Sequence, residues 1–331
     1  MQLKKIFKNL LPYIVVKRLE EKKDNHKTEA TTVEPYIYDK NGNRKRTFYL
    51  DDKVCVHSPY SFSSINIGET HYINWDRFNI GLQVHFYSHD KILDAKMRGK
   101  KNFGIIVESE AIVPSLYSKL LNSPNIISKY DGIFTHSERL LNCYSNAYFI
   151  PGSSVWYGGT TGGGTLSCDK YNYKKKNVSL VSSDKAQCEL HRFRLHLAEL
   201  LSKSKGVDVM GTYNGGKYVS IADSLDEYRF SIVIENNITS CYFTEKILNC
   251  FASMTIPIYV GATDIGKYFD SRGIVSISPS MSDDEIIHII NMCTQDFYSN
   301  SIDAIKNNYE LVKKYFCIED YIFENYRQLF E

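Results

Sequence analysis

Phe230-Ser231-Ile232-Val233-Ile234-Glu235-Asn236-Asn237-Ile238-Thr239-Ser240-Cys241-Tyr242-Phe243-Thr244-Glu245-Lys246 decides the fold. The apolar run Phe230 to Ile234 reads as a buried strand and stops on a carboxylate and an amide. An aromatic, a hydroxyl, a second carboxylate and a lysine follow after a short polar loop. Lys246 opens a helix-like run, Ile247 to Ala252, and Thr255 to Val260 is a second apolar strand ending at Gly261. Strand, polar loop, helix, strand and glycine is the layout of a ligand crevice at the carboxyl ends of parallel strands. Buried strands do not need such a polar cluster in order to fold, so the stretch reads as a site.

Working outward, strands and helices alternate on both sides of it. Val178 to Ser183 is a strand, Gln187 to Ser202 a helix carrying His191, Arg192 and Arg194, Val207 to Gly211 a strand and Ile221 to Tyr228 a short helix. Gly273 to Ile277 and Asp283 to Met292 continue the pattern as strand and helix. In the first half Val54 to Val56, Gly81 to Tyr87, Phe103 to Val107, Tyr130 to His136 and Ala147 to Ile150 read as strands. Val113 to Leu121 and the serine-capped Ser137 to Leu141 read as helices. The alternation indicates an α/β protein with mainly parallel order. Tyr157 to Thr165 carries five glycines. A phosphate cradle is one reading, but no Lys-Ser or Lys-Thr follows, so a hinge between two α/β domains is preferred.

The 331 residues suit two ordinary domains, and 43% hydrophobic with 24% charged content supports a packed core. A net charge of +2 argues against a nucleic-acid binder. The eight cysteines include no CxxC pair, and His85 and His89 lack a third ligand, so no metal site is expected. No apolar run reaches the roughly 20 residues that span a bilayer, and no signal peptide is read at the start. Residues 2–18 place Leu3, Ile6, Phe7, Leu10, Leu11, Ile14 and Val15 at helical spacing among lysines, although Pro12 interrupts them. A basic amphipathic helix of this kind lies on an anionic membrane surface; a docked helix or a free tail is the other reading. Residues 20–32 read as a linker. The expected location is cytoplasmic, with peripheral contact at the inner face of the membrane through residues 2–18.

The central stretch also carries a resemblance. Tyr228-Arg229-Phe230, Glu235-Asn236, Tyr242-Phe243-Thr244-Glu245-Lys246 and Pro257-Ile258-Tyr259-Val260-Gly261 resemble the signature of the α1,3-fucosyltransferase family in order and spacing. The resemblance extends over residues 174–280 and more weakly over 50–157, where Val107-Glu108-Ser109 is similar to an apolar strand ending in E-S-P. It implies a GT-B type glycosyltransferase: two Rossmann-like domains facing across a cleft, with acceptor bound at 33–165 and nucleotide sugar at 166–305. Residues 1–32 form the basic segment and linker, and the helical segment 306–331 packs back on the first domain. Glu110, where the family carries proline, and Ser137-Glu138-Arg139, in place of an Arg-rich stretch, depart from the pattern on the acceptor side.

The implied function is inverting transfer of fucose from GDP-fucose to a glycan hydroxyl in an α1,3-type linkage, as in bacterial surface polysaccharide synthesis. GDP-fucose is then a substrate, with neither cofactor nor metal required. Such a reaction needs a base for the acceptor hydroxyl and cations for the leaving diphosphate. Glu108 is the candidate base and Glu110 the reserve. Lys246 at a helix start holds phosphate, together with Arg192 or Arg194, of which Arg192 is preferred. Glu235, Asn236, Thr244 and Glu245 hydrogen-bond the donor, and Tyr242 stacks on base or sugar. The same chemistry with another nucleotide sugar, and a non-catalytic sugar-nucleotide-binding protein, are the alternatives. A dehydrogenase is disfavoured because no GxGxxG follows an early strand.

Overall fold

Parallel strands buried on both faces read as unbroken apolar runs, and such runs build most of this molecule. The computed structural model describes residues 36–38, 42, 44–52, 70–159 and 162–331. The amphipathic segment 2–18, the linker 20–32 and the expected strand Val54 to Val56 lie outside these residues. The first sheet is built from β1 (Tyr36–Tyr38), β2 (Arg44–Asp51), β3 (Ile73–Asp76), β4 (Val84–Ser88), β5 (Lys101–Ile106), β6 (Gly132–Thr135) and β7 (Ala147–Phe149). Its spatial order is β1-β2-β4-β5-β6-β7 with β3 paired to β2, and only the β1–β2 pairing is antiparallel. Three helices, α1 (Pro114–Leu121), α2 (Pro124–Ile127) and α3 (Glu138–Cys143), belong to this half.

The second sheet holds β8 (Lys176–Val181), β9 (Val207–Met210), β10 (Tyr228–Ile234), β11 (Ile256–Val260) and β12 (Val275–Ser276). These run in the order β12-β11-β10-β8-β9, every pairing parallel. Its helices are α4 (Glu189–Leu201), α5 (Ile221–Leu225), α6 (Glu245–Ala252) and α7 (Asp283–Met292), followed by α8 (Gln295–Asn300), α9 (Ile302–Val312) and α10 (Ile318–Tyr326). Helix α7 begins with a reciprocal cap, Ser282 and Glu285 each bonding the other's backbone N–H.

The deciding strand, β10, is central in its sheet. Phe230, Ile232 and Ile234 are buried there, and Ser231 satisfies its hydroxyl on Ser179 of β8 at 2.9 Å. The short helix read over Ile221 to Tyr228 ends at Leu225 instead. Tyr228 pairs with Lys176 as the first residue of β10, and its hydroxyl donates to Asp208 at 2.6 Å. Tertiary pairing overrides the local helical pattern at that point.

Residues Pro35–Glu331 form one compact unit despite the two sheets. Ile318, Ile322 and Phe330, at the chain's end, join Phe48, Phe86, Phe103 and Phe134 in the core of the first sheet. Arg46 donates to the carbonyl of Phe330 at 2.7 Å, and Trp75 Nε1 to Glu319 at 3.0 Å. The glycine-rich stretch is docked rather than open. Tyr157 is buried against the second half, and Asn249 Oδ1 of α6 accepts from the N–H groups of Trp156 and Tyr157 at 2.8 and 2.9 Å. Among the described residues no helix is long and apolar enough to cross a membrane, and no group of three or more metal-ligating side chains gathers.

Candidate active site

Helix α6 starts where β10 has just ended, and that junction builds the charged part of the site. Thr244 is its N-cap, accepting from Lys246 N–H. The Thr244 hydroxyl and N–H both donate to Glu235, at 2.7 and 2.9 Å. Lys246 Nζ reaches the same carboxylate at 3.2 Å and Glu245 at 3.6 Å. Burial works against the Lys246 ammonium, but Glu245 and Glu235 outweigh it and raise its pKa above that of a free lysine. Burial likewise pushes the Glu235 carboxyl up, while Lys246 and Thr244 pull it back.

Glu235 is 0% exposed and its oxygens are occupied by Thr244 and Lys246. The direct hydrogen bond to donor read for Glu235 is therefore corrected: it holds Lys246, which keeps 24% of its side chain exposed. Tyr242 is corrected in the same way. It is buried, its ring lies 4.5 Å from that of His136, and it offers no open face for a base or sugar to stack on. Thr244, also buried, acts as cap and strut.

Lys246, Glu245 and Arg194 line a cavity of about 250 Å³ with Trp156, Ser220 and Asn249. Arg194 donates to Ser183 Oγ at 3.3 Å, and its Nε is buried without a partner among the described residues. Burial lowers its pKa, yet a guanidinium remains cationic. Arg192, the residue preferred from sequence, is exposed and donates to the carbonyl of Ala186 at 3.3 Å. The two arginines sit two positions apart on α4, a spacing that turns them to different faces of a helix. His191, on the same helix, is held by Asn236 Oδ1 at 3.0 Å, and its pKa is lowered by burial and then by Arg194. Asn236 faces a second opening, about 510 Å³, with Ala111, Glu189, Ile238 and Ser280.

Glu108 comes from the other sheet, just past the carboxyl end of β5. It is half-buried, and its pKa is raised by burial and by Glu245, against the opposing pull of Lys246 and Lys185. Its carboxylate thus feels the charges of Glu245 and Lys246 at the start of α6. Gly152 N–H donates to the carbonyl of Phe243 at 3.0 Å, joining the two carboxyl edges nearby. A Cβ at Gly152 would stand 3.0 Å from the Tyr242 ring and 3.1 Å from Thr244 Cγ2, so a larger residue would push these neighbours back. Glu110 is tied instead to Arg139 in an ion pair. Asn249, Trp156, Ser220 and His89 were not read as site residues from sequence; only the glycines beside Trp156 hinted at a constrained backbone there.

The sequence model of glycosyltransferase family 10 (fucosyltransferase), C-terminal part, matches residues 171–317. The matched stretch, somewhat under half of the chain, is similar to that family. It contains Arg194, Glu235, Glu245 and Lys246, whereas Glu108 lies before it. The α-(1,3)-fucosyltransferase FucT of Helicobacter pylori is 36% identical over 66 residues, which is 20% of this chain and 14% of that protein. A crystal structure of an α1,3-fucosyltransferase with GDP superposes at a TM-score of 0.51 and 16% identity, covering 90% of this chain and 96% of that one. Anabaena HepE, solved with UDP-glucose, superposes at 0.54 and 9% identity, covering 85% and 99%. The fold is that of the GT-B glycosyltransferases, as the resemblance implied; the alternation of strands and helices alone had indicated only an α/β protein.

Proposed function

We propose that this chain is an inverting glycosyltransferase that moves fucose from GDP-fucose to a hydroxyl of a glycan acceptor. One observation carries the reading. Lys246, held by Glu235 and Glu245, and Arg194, which has no carboxylate partner among the described residues, converge on one cavity at the start of α6. The guanidinium is left for an anion to pair with, and a helix N-terminus adds backbone donors of the same sense. A diphosphate meets all three.

Glu108, just past the carboxyl end of β5, has its pKa raised by burial and by the charge of Glu245, which favours proton uptake by a general base. In the proposed step its carboxylate takes the proton from the acceptor hydroxyl as that oxygen attacks the anomeric carbon from the face opposite the diphosphate. The bond from carbon to the diphosphate oxygen breaks, and the electron pair leaves with GDP. Lys246 and Arg194 neutralise the departing charge in the role a divalent cation would otherwise fill. Turnover that persists undiminished in EDTA is the expected result for that part. The α1,3 linkage, a surface polysaccharide as acceptor, and a cytoplasmic site at the inner membrane face belong to the same proposal.

The test is calorimetry with GDP, followed by NMR of the product formed from GDP-fucose. Micromolar GDP uptake and a product of inverted anomeric configuration are expected. Absence of GDP uptake by folded protein refutes the reading, and turnover of a different nucleotide sugar in place of GDP-fucose would reassign the donor alone.

A further inference from the structure

We propose that His89 is a positioning residue that aims the carboxylate of Glu108 through the backbone of Glu108 itself. This rests on the reading of Glu108 as the base. His89 is buried and sits at φ +51°, the left-handed region that a residue with a Cβ enters at a cost on the order of 1–2 kcal/mol. Such a conformation persists only where surrounding contacts over-determine it.

Two of the contacts of His89 reach the backbone at Glu108. His89 Nε2 accepts from the N–H of Glu108 at 3.2 Å and from that of Val107 at 3.3 Å. An acceptor at Nε2 requires a neutral ring with its proton on Nδ1, which lies 2.6 Å from Ser88 Oγ and donates to it. On the other side of the same residue, the Glu108 carbonyl accepts from the Tyr117 hydroxyl at 2.7 Å, with His136 Nε2 at 3.2 Å. Both peptide groups of Glu108 are thus gripped, while its carboxylate has no hydrogen-bond partner among the described residues and feels the charges of Glu245, Lys246 and Lys185. His136 in turn packs on Tyr242, two residues before the α6 cap, so the grip is referenced to the diphosphate side.

The clamp does not titrate where the base does. Burial lowers the His89 pKa to about 4, with Asp52 and Asp90 opposing, and burial lowers that of the neighbouring His136 to about 4 as well. The Glu108 carboxyl is moved the other way, upward, by burial and by Glu245.

GDP release from GDP-fucose, with water as acceptor, tests this across pH for the full chain. Glycine and asparagine both accept the left-handed backbone, and asparagine retains an acceptor oxygen. His89→Gly is expected to keep donor KM, lower kcat by about ten- to a hundredfold and shift the acidic limb of the pH profile. His89→Asn is expected to recover part of that kcat. Ser88→Ala, which frees the ring tautomer, is expected to lower kcat several-fold at unchanged donor KM, and it decides the matter if His89→Gly does not fold. Wild-type kcat and pH profile in folded His89→Gly, or in Ser88→Ala where that variant decides, overturns the clamp. A Glu108→Gln variant that turns over normally would instead remove the base reading beneath it.

Discussion

Replacing Lys246 by methionine separates its two roles. The side chain keeps its volume, but Glu235 is left 0% exposed with Thr244 as its remaining hydrogen-bond partner. At 3.2 Å the Lys246–Glu235 attraction is about 5 kcal/mol gross for an effective dielectric of about 20. Desolvation offsets part of it, and losing one partner of a buried pair costs about 3–5 kcal/mol. Lys246 is 24% exposed, so the lower end, about 3 kcal/mol, is expected. The Glu235 carboxyl then binds a proton more readily folded than unfolded. Folded protein therefore holds more protons in that range, and the deficit shrinks as pH falls and grows as pH rises. Adding Glu235→Gln removes the stranded charge and restores most of the stability. Turnover does not return, because the diphosphate has lost a cation worth on the order of 10²–10³ in rate. Urea unfolding at pH 5 and 7.5, with GDP release measured on both variants, checks this. A double variant that regains turnover with its stability would refute the phosphate role of Lys246.

Glu108→Gln is expected to lower kcat far more than GDP affinity, and the wild-type rate to fall with acidification through a pKa above 4.5 as the base takes up its proton. Equal losses of rate and GDP affinity would contradict this. Arg194→Ala is expected to weaken GDP binding by about tenfold or more, and Arg192→Ala to leave it within twofold; calorimetry reading the reverse order would put the phosphate on the exposed face of α4. Phe330→Ala removes a buried ring from the first sheet's core and is expected to cost about 3–5 kcal/mol in denaturant unfolding, with GDP affinity retained in the folded fraction.

The second half was legible because its signals are local. The run Phe230 to Ile234 is a buried parallel strand whichever sheet it joins, and Thr244 caps α6 through atoms two residues apart. Lys246 and Glu245 stand next to one another in the chain, so their charge cluster shows in the string itself. The first half was less legible. The strands β1 and β3 are only three and four residues long, too short for a pattern to stand out, and exist through pairing with β2. His89 carried no signal either, since its conformation and its bonds to Glu108 join residues 19 positions apart.

Amino-acid order alone determined the α/β class, the strand–loop–helix junction at 230–252 and the chemistry offered there, because backbone propensity, capping and burial act within a few residues. Tertiary structure decided which arginine enters the cavity, that Glu235 and Tyr242 are buried, and that Glu108, from another sheet, feels the charge of Lys246. Those outcomes depend on helix phase and on the approach of chain segments more than a hundred residues apart, where desolvation and charge pairing act through space.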